Sequence, residues 1–77
     1  MYSQWLSDFY KKKLNAKSFK VLQHDHGPTY NDGGGWNDTI VEADGNIYRI
    51  YMASDYQCDN LKITAMKKVM KEAYEPI

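Results

Sequence analysis

The stretch "DTIVEADGNIYRIYMA", Asp38 to Ala53, restricts the fold more than any other part of the chain. Two runs rich in β-branched and aromatic residues flank "DGN", and Gly45 supplies the positive-φ conformation that a tight hairpin turn requires. Strands are therefore predicted over 38–44 and 46–53. In the second run Ile47, Arg49 and Tyr51 alternate with Tyr48, Ile50 and Met52. Both sets are partly apolar, so the sequence alone leaves open which one faces the core.

A further strand is predicted over 18–25, "SFKVLQHD", with Phe19, Val21 and Gln23 on one face and Lys20, Leu22 and His24 on the other. A sheet of three antiparallel strands needs cover for its apolar face. Two amphipathic segments at the chain ends are suited to this. In residues 2–14, Tyr2, Trp5, Leu6, Phe9 and Tyr10 follow helical spacing; "KKK" at 11–13 favours a helix C-terminus and Asn15 ends it. In residues 59–74, Leu61, Ala65, Val69 and Ala73 form an i+4 stripe, Asp59 or Asn60 can cap it, and Pro76 prevents continuation. The order helix, three strands, helix predicts an α+β two-layer αβββα sandwich: one domain, 1–77, with a three-stranded antiparallel sheet covered on one face by two helices.

Composition narrows the function classes. Ten basic and ten acidic residues give zero net charge, which argues against a strong nonspecific polyanion binder but permits a locally basic face. The lone Cys58 excludes a disulfide framework and fits an intracellular, cytoplasmic setting. No apolar run approaches the ~18 residues of a membrane span, and no signal-peptide core is visible.

Order and length together resemble the double-stranded RNA-binding domain (dsRBD) family over nearly the whole chain. "LSDF" at Leu6–Phe9 stands where that family carries an acid on its first helix. Phe19, Val21 and Gly27-Pro28 match the spacing of its first strand and following loop. "GPTY" replaces its Gly-Pro-x-His, and Leu61-Lys62, Ala65-Met66 and Val69-Met70 follow the apolar skeleton of its last helix. The first two lysines of the family's KKxAK motif are Cys58 and Asp59 here. The resemblance implies non-catalytic binding of double-stranded or structured RNA, read by shape across two minor grooves and the phosphates between them. Its expected RNA-binding residues are Gln4, Ser7, Asp8, Lys11 and Lys12 on the first helix, Gly27, Pro28, Thr29 and Tyr30 in the loop, and Lys62, Lys67 and Lys68 on the second helix.

The remaining motifs carry less. His24 and His26 share a strand face, with Asp32, Asp38, Cys58 and Asp59 as further ligand types, but no recognised spacing links them, so no metal and no cofactor is expected. "GGG" at 33–35 lacks the Lys-Ser/Thr and helix of a phosphate loop, and Trp36 is expected to anchor a strand in the core. Cys58 has no readable acid or oxyanion partner, so no catalytic residue is assigned and the chain is not read as an enzyme. The competing reading is a protein-interaction module, monomer or homodimer, using the tyrosines Tyr48, Tyr51 and Tyr56. Read as a free-standing domain beginning at Met1, the chain is also similar to small viral or phage-type inhibitors or adaptors of host RNA-processing or defence enzymes.

Overall fold

The computed structural model describes residues 4–28, 35–54 and 59–77. Helix α1 spans Gln4–Leu14 and is followed by β1 (Phe19–Pro28), β2 (Gly35–Ala43), β3 (Asn46–Ser54), β4 (Asp59–Lys68) and β5 (Tyr74–Pro76). All five strands form one antiparallel sheet in chain order. The expected αβββα sandwich is thus overturned: among the described residues a single α-helix packs on a five-stranded meander, and residues 59–74 are not a second helix.

The reason lies in an ambiguity of residues 59–74. The stripe Leu61, Ala65, Val69, Ala73 satisfies an i+4 period. The same segment also alternates, with Leu61, Ile63 and Ala65 on one face and Lys62, Thr64 and Met66 on the other. Ile63 and Thr64 are β-branched and suit a pleated surface. Tertiary pairing decides between the two. Without β4, one edge of β3 would leave its backbone donors and acceptors unpaired. The ladder from Ser54↔Asp59 to Ile47↔Met66 satisfies them.

Helix α1 forms as expected. Asn15 adopts φ 52°, and the Asn15 and Ala16 amides donate to the Lys12 and Lys11 carbonyls, each at 3.1 Å. This is a Schellman cap, which satisfies the last carbonyls of the helix. The β2–β3 hairpin also forms as expected: Asp44 (φ 51°) and Gly45 (φ 84°) make a two-residue turn with both φ values positive. Asp44 does a second job. Its carboxylate accepts from the backbone amides of Lys17 (3.0 Å) and Ser18 (2.9 Å), tying the helix–strand junction to the hairpin tip.

The core lies between α1 and the sheet. Leu6, Tyr10, Val41 and Ile50 form its buried centre, with Phe9, Leu14, Phe19, Val21, Tyr48, Met52 and Leu61 packed around them. This settles the face of β3: Tyr48, Ile50 and Met52 point at the helix. On β1 a bulge at Leu22, where the register shifts between Val21 and Gln23, flips the pattern. Phe19 and Val21 face the helix, but beyond the bulge His24 and His26 do so, not Gln23. Gly27 and Pro28 belong to β1, opposite Trp36 and Gly35, rather than to a loop. Trp36 is half-buried against Gly27, where a Cβ would sit 2.8 Å from its indole.

The β4–β5 connection places two ordinary residues in the left-handed region: Lys71 at φ 58° and Glu72 at φ 62°. The Ala73 amide closes the turn on the Met70 carbonyl at 3.2 Å. Positive φ at both central positions is the arrangement that favours Asn-Gly. The double substitution Lys71→Asn, Glu72→Gly is expected to stabilise the fold by about 1–2 kcal/mol, since a non-glycine residue in this region costs roughly 1 kcal/mol or more. A urea titration would register it as a higher midpoint with unchanged slope.

Candidate functional site

Three surfaces gather polar or exposed residues, and part of the sequence-predicted set lies on them.

The first is the flank of α1 beside β1. Gln4, Ser7, Asp8 and Lys11 line one polar hollow together with Phe19 and Val21. The Gln4 carboxamide donates to the Asp8 carboxylate at 3.1 Å, one helical turn apart. Lys12 and Lys13 are exposed beyond it, and the Lys13 ammonium lies 5.3 Å from the centre of the Phe9 ring. Gln4, Ser7, Asp8 and Lys11 of the predicted helix-borne set are therefore held together, with Lys12 outside the hollow. The rest is dispersed. Gly27 and Pro28 sit in β1, and Thr29 and Tyr30 lie outside the described residues, as do Cys58, Gly33 and Gly34. Lys62, Lys67 and Lys68 stand on β4 instead of on a second helix. By strand alternation Lys62 and Lys68 point to the sheet face away from α1 and Lys67 to the other, so the three cannot form one phosphate grip.

The second surface is the end of the helix-facing side, where Trp5, His24, His26, Trp36 and Asn37 surround a shallow hollow. The two imidazoles stack with centres 5.7 Å apart, and His24 Nδ1 pairs with the buried Thr39 hydroxyl at 2.9 Å. No group of three or more metal-ligating side chains occurs among the described residues. Burial, then the proximity of His26, pushes the His24 imidazole below its ordinary value of 6.5. Backbone hydrogen bonds from Ser18 and Lys17 likewise hold the Asp44 carboxyl below its ordinary 3.8.

These shifts fix the acid behaviour. Between its folded and unfolded pKa, His24 binds more protons in the unfolded chain, so its contribution is intact above about pH 6.5 and lost as pH falls through the folded value. Asp44 stabilises above about pH 3.8 and loses that contribution as pH falls through its own folded value. Thermal unfolding followed across pH 2–8 is expected to weaken in two separate steps. His24→Asn should remove the upper step and leave the lower one.

The third surface is β4 itself, which sequence reasoning missed because it assigned the segment to a helix. β5 pairs with β4 only from Met66 to Lys68, and the Ile77 amide adds a bond to the Ala65 carbonyl at 2.9 Å. That bond fixes the phase of the ladder. In an antiparallel pair, adjacent residues send both backbone groups to opposite sides. Ala65 points away from β3, so Ile63 and Leu61 do too, while Lys62 and Thr64 bond to β3. Among the described residues nothing pairs with the outward groups of Leu61 and Ile63. The register with β3 is unbroken here, and Ile63 is 39% exposed.

The sheet's other edge is differently made. β1 carries a bulge, Pro28, and charged or polar residues at Lys20, His24, Asp25 and His26, the usual devices against strand addition. From Leu61 to Ile63 the open part of β4 has one such device, Lys62. Beside it, on the face away from α1, Arg49, Tyr51, Lys62 and Thr64 line a depression of ≈ 380 Å³. Arg49 is already engaged there, in a bidentate pair with Asp38 at 2.9 and 2.6 Å, and the hydrogen bonding raises its pKa further. Lys62 has no ion pair among the described residues.

No helix among the described residues is long and apolar enough to cross a membrane. No family model, no curated protein and no solved structure matches this chain.

Proposed function

We propose that this protein is a non-catalytic, protein-binding module that takes an extended segment of a partner onto the open edge of β4. One observation carries the reading: Leu61 and Ile63 present backbone donors and acceptors that nothing pairs among the described residues, along a regular, unbulged strand with exposed apolar surface at Ile63. Strand addition draws affinity from main-chain hydrogen bonds and selectivity from alternate side chains. The edge supplies up to four such bonds, from two residues.

The test uses a proline at residue 63. Proline removes the outward N–H and, on an open edge, leaves the ladder to β3 intact. Extended heptapeptides displayed on phage are selected against the immobilised protein and against its Ile63→Pro variant, with folding of both checked by circular dichroism. Alternating apolar sequences enriched on the wild type and lost on the variant support strand addition. Equal enrichment on both proteins, or an amphipathic helical consensus, contradicts it.

A second reading, binding of structured RNA, keeps one supporting observation: Gln4, Ser7, Asp8 and Lys11 share a hollow beside a lysine-rich helix end. These groups match the donors and acceptors that a minor groove edged by 2′-hydroxyls requires. A duplex of ~16 base pairs, titrated at two salt concentrations, examines it. Salt-sensitive binding lost in a Lys11→Ala, Lys12→Ala variant favours RNA. Absence of binding at low salt removes this reading.

A further inference from the structure

Given strand addition at β4, the geometry points to the kind of segment the edge selects: we propose a partner strand with an acidic residue directly opposite Lys62 and an apolar residue on either side of it.

The register dictates this pattern. An antiparallel segment on this edge makes hydrogen-bonded pairs with Leu61 and Ile63, and its intervening residue faces Lys62 in a non-hydrogen-bonded pair. Non-hydrogen-bonded pairs bring side chains closest, with Cα atoms about 4.5 Å apart. Directly opposed residues share a sheet face, so the middle side chain points with Lys62 to the face away from α1. It arrives at the depression lined by Arg49, Tyr51, Lys62 and Thr64. Lys62 is the one cation of that depression without a carboxylate among the described residues, since Asp38 occupies Arg49. A carboxylate there gains a cross-strand ion pair; an ammonium meets like charge at the shortest cross-strand distance. The flanking residues lie on the opposite face, against Leu61 and the exposed Ile63, where an apolar side chain removes apolar surface from water.

The same geometry disfavours a second copy of this chain. A two-fold pairing centred on Lys62 sets two lysines opposite each other, the arrangement that edge strands use to resist self-association.

Three acetylated, amidated peptides, Ser-Thr-Val-X-Val-Thr-Ser with X as Glu, Gln or Lys, are titrated into the ¹⁵N-labelled protein, and the Leu61 and Ile63 amide shifts are followed. The expected order of affinity is Glu, Gln, Lys, with roughly tenfold between the ends from an ion pair replaced by a like-charge contact. Lys62→Glu should invert that order. Lys62→Gln should flatten it, and the amide spectra show that each variant is folded. Equal binding of all three peptides, unchanged by Lys62→Glu, overturns the acidic selection and leaves strand addition standing. If no peptide moves Leu61 or Ile63, strand addition itself fails and the selection falls with it. A wild-type protein that sediments as a dimer with those two amides protected assigns the edge to a second copy and overturns the proposal.

Discussion

Replacing Ile50 by alanine is expected to remove a large share of the protein's stability. Ile50 is fully buried. It sits in the middle strand of the sheet, opposite Thr39 on β2 and Ile63 on β4. Truncating such a residue costs about 2–5 kcal/mol, the spread depending on how far the cavity collapses. A chain of 77 residues has a total stability of only roughly 4–12 kcal/mol at the usual value per residue. Three strands and the helix meet at this side chain, so little relaxation is available. A fall in the thermal midpoint on the order of 20 °C follows, at about 4–8 °C per kcal/mol for a domain of this size. The matching change at the partly exposed Ile63 should shift it by only a few degrees.

The second large effect separates two neighbouring residues on β4. Thr64→Pro is expected to destabilise the fold severely, while Ile63→Pro is tolerated. Thr64 bonds to β3, so a proline there deletes a ladder bond and leaves an acceptor on β3 without its donor. That costs about 1–3 kcal/mol before any steric term, and a proline ring inside a paired edge adds to it. At Ile63 the deleted N–H points to the open edge. If the segment were the amphipathic helix that its i+4 stripe suggests, both prolines would lie in its interior and each would cost ~3 kcal/mol or more. Urea midpoints of the two variants distinguish the alternatives.

What the sequence made legible were the local devices with a short-range cause. The Leu6, Phe9 and Tyr10 part of the α1 stripe, its end at Asn15 and the Asp44-Gly45 turn follow from neighbours a few residues apart and stand in the structure; Trp5, counted in the same stripe, is 63% exposed. Two errors share one origin. On β1 the bulge at Leu22 inverts the faces beyond Val21, so Gln23 and His24 exchange roles. In residues 59–74 the helical period and the strand period fit the same residues. In both places the outcome depends on pairing with another strand, which a local pattern does not encode. The resemblance to the double-stranded RNA-binding fold depended on the second helix, and the proposed lysine grip goes with it. The Gln4, Ser7, Asp8 and Lys11 cluster is preserved because it rests on a helix whose periodicity has only one solution. The open edge of β4 was invisible for the complementary reason: an edge is defined by what lies beside a strand.

The binding edge exists only if β4 has this phase, and hydrogen exchange of the ¹⁵N-labelled protein reads that phase residue by residue. The expected result is alternation: slow exchange at Lys62 and Thr64, whose amides donate to β3, and fast exchange at Leu61 and Ile63, whose amides face the open edge. Uniform protection from Leu61 to Thr64 in the monomer, or protection continuing unbroken through Met70, would contradict both the strand assignment and the binding edge built on it.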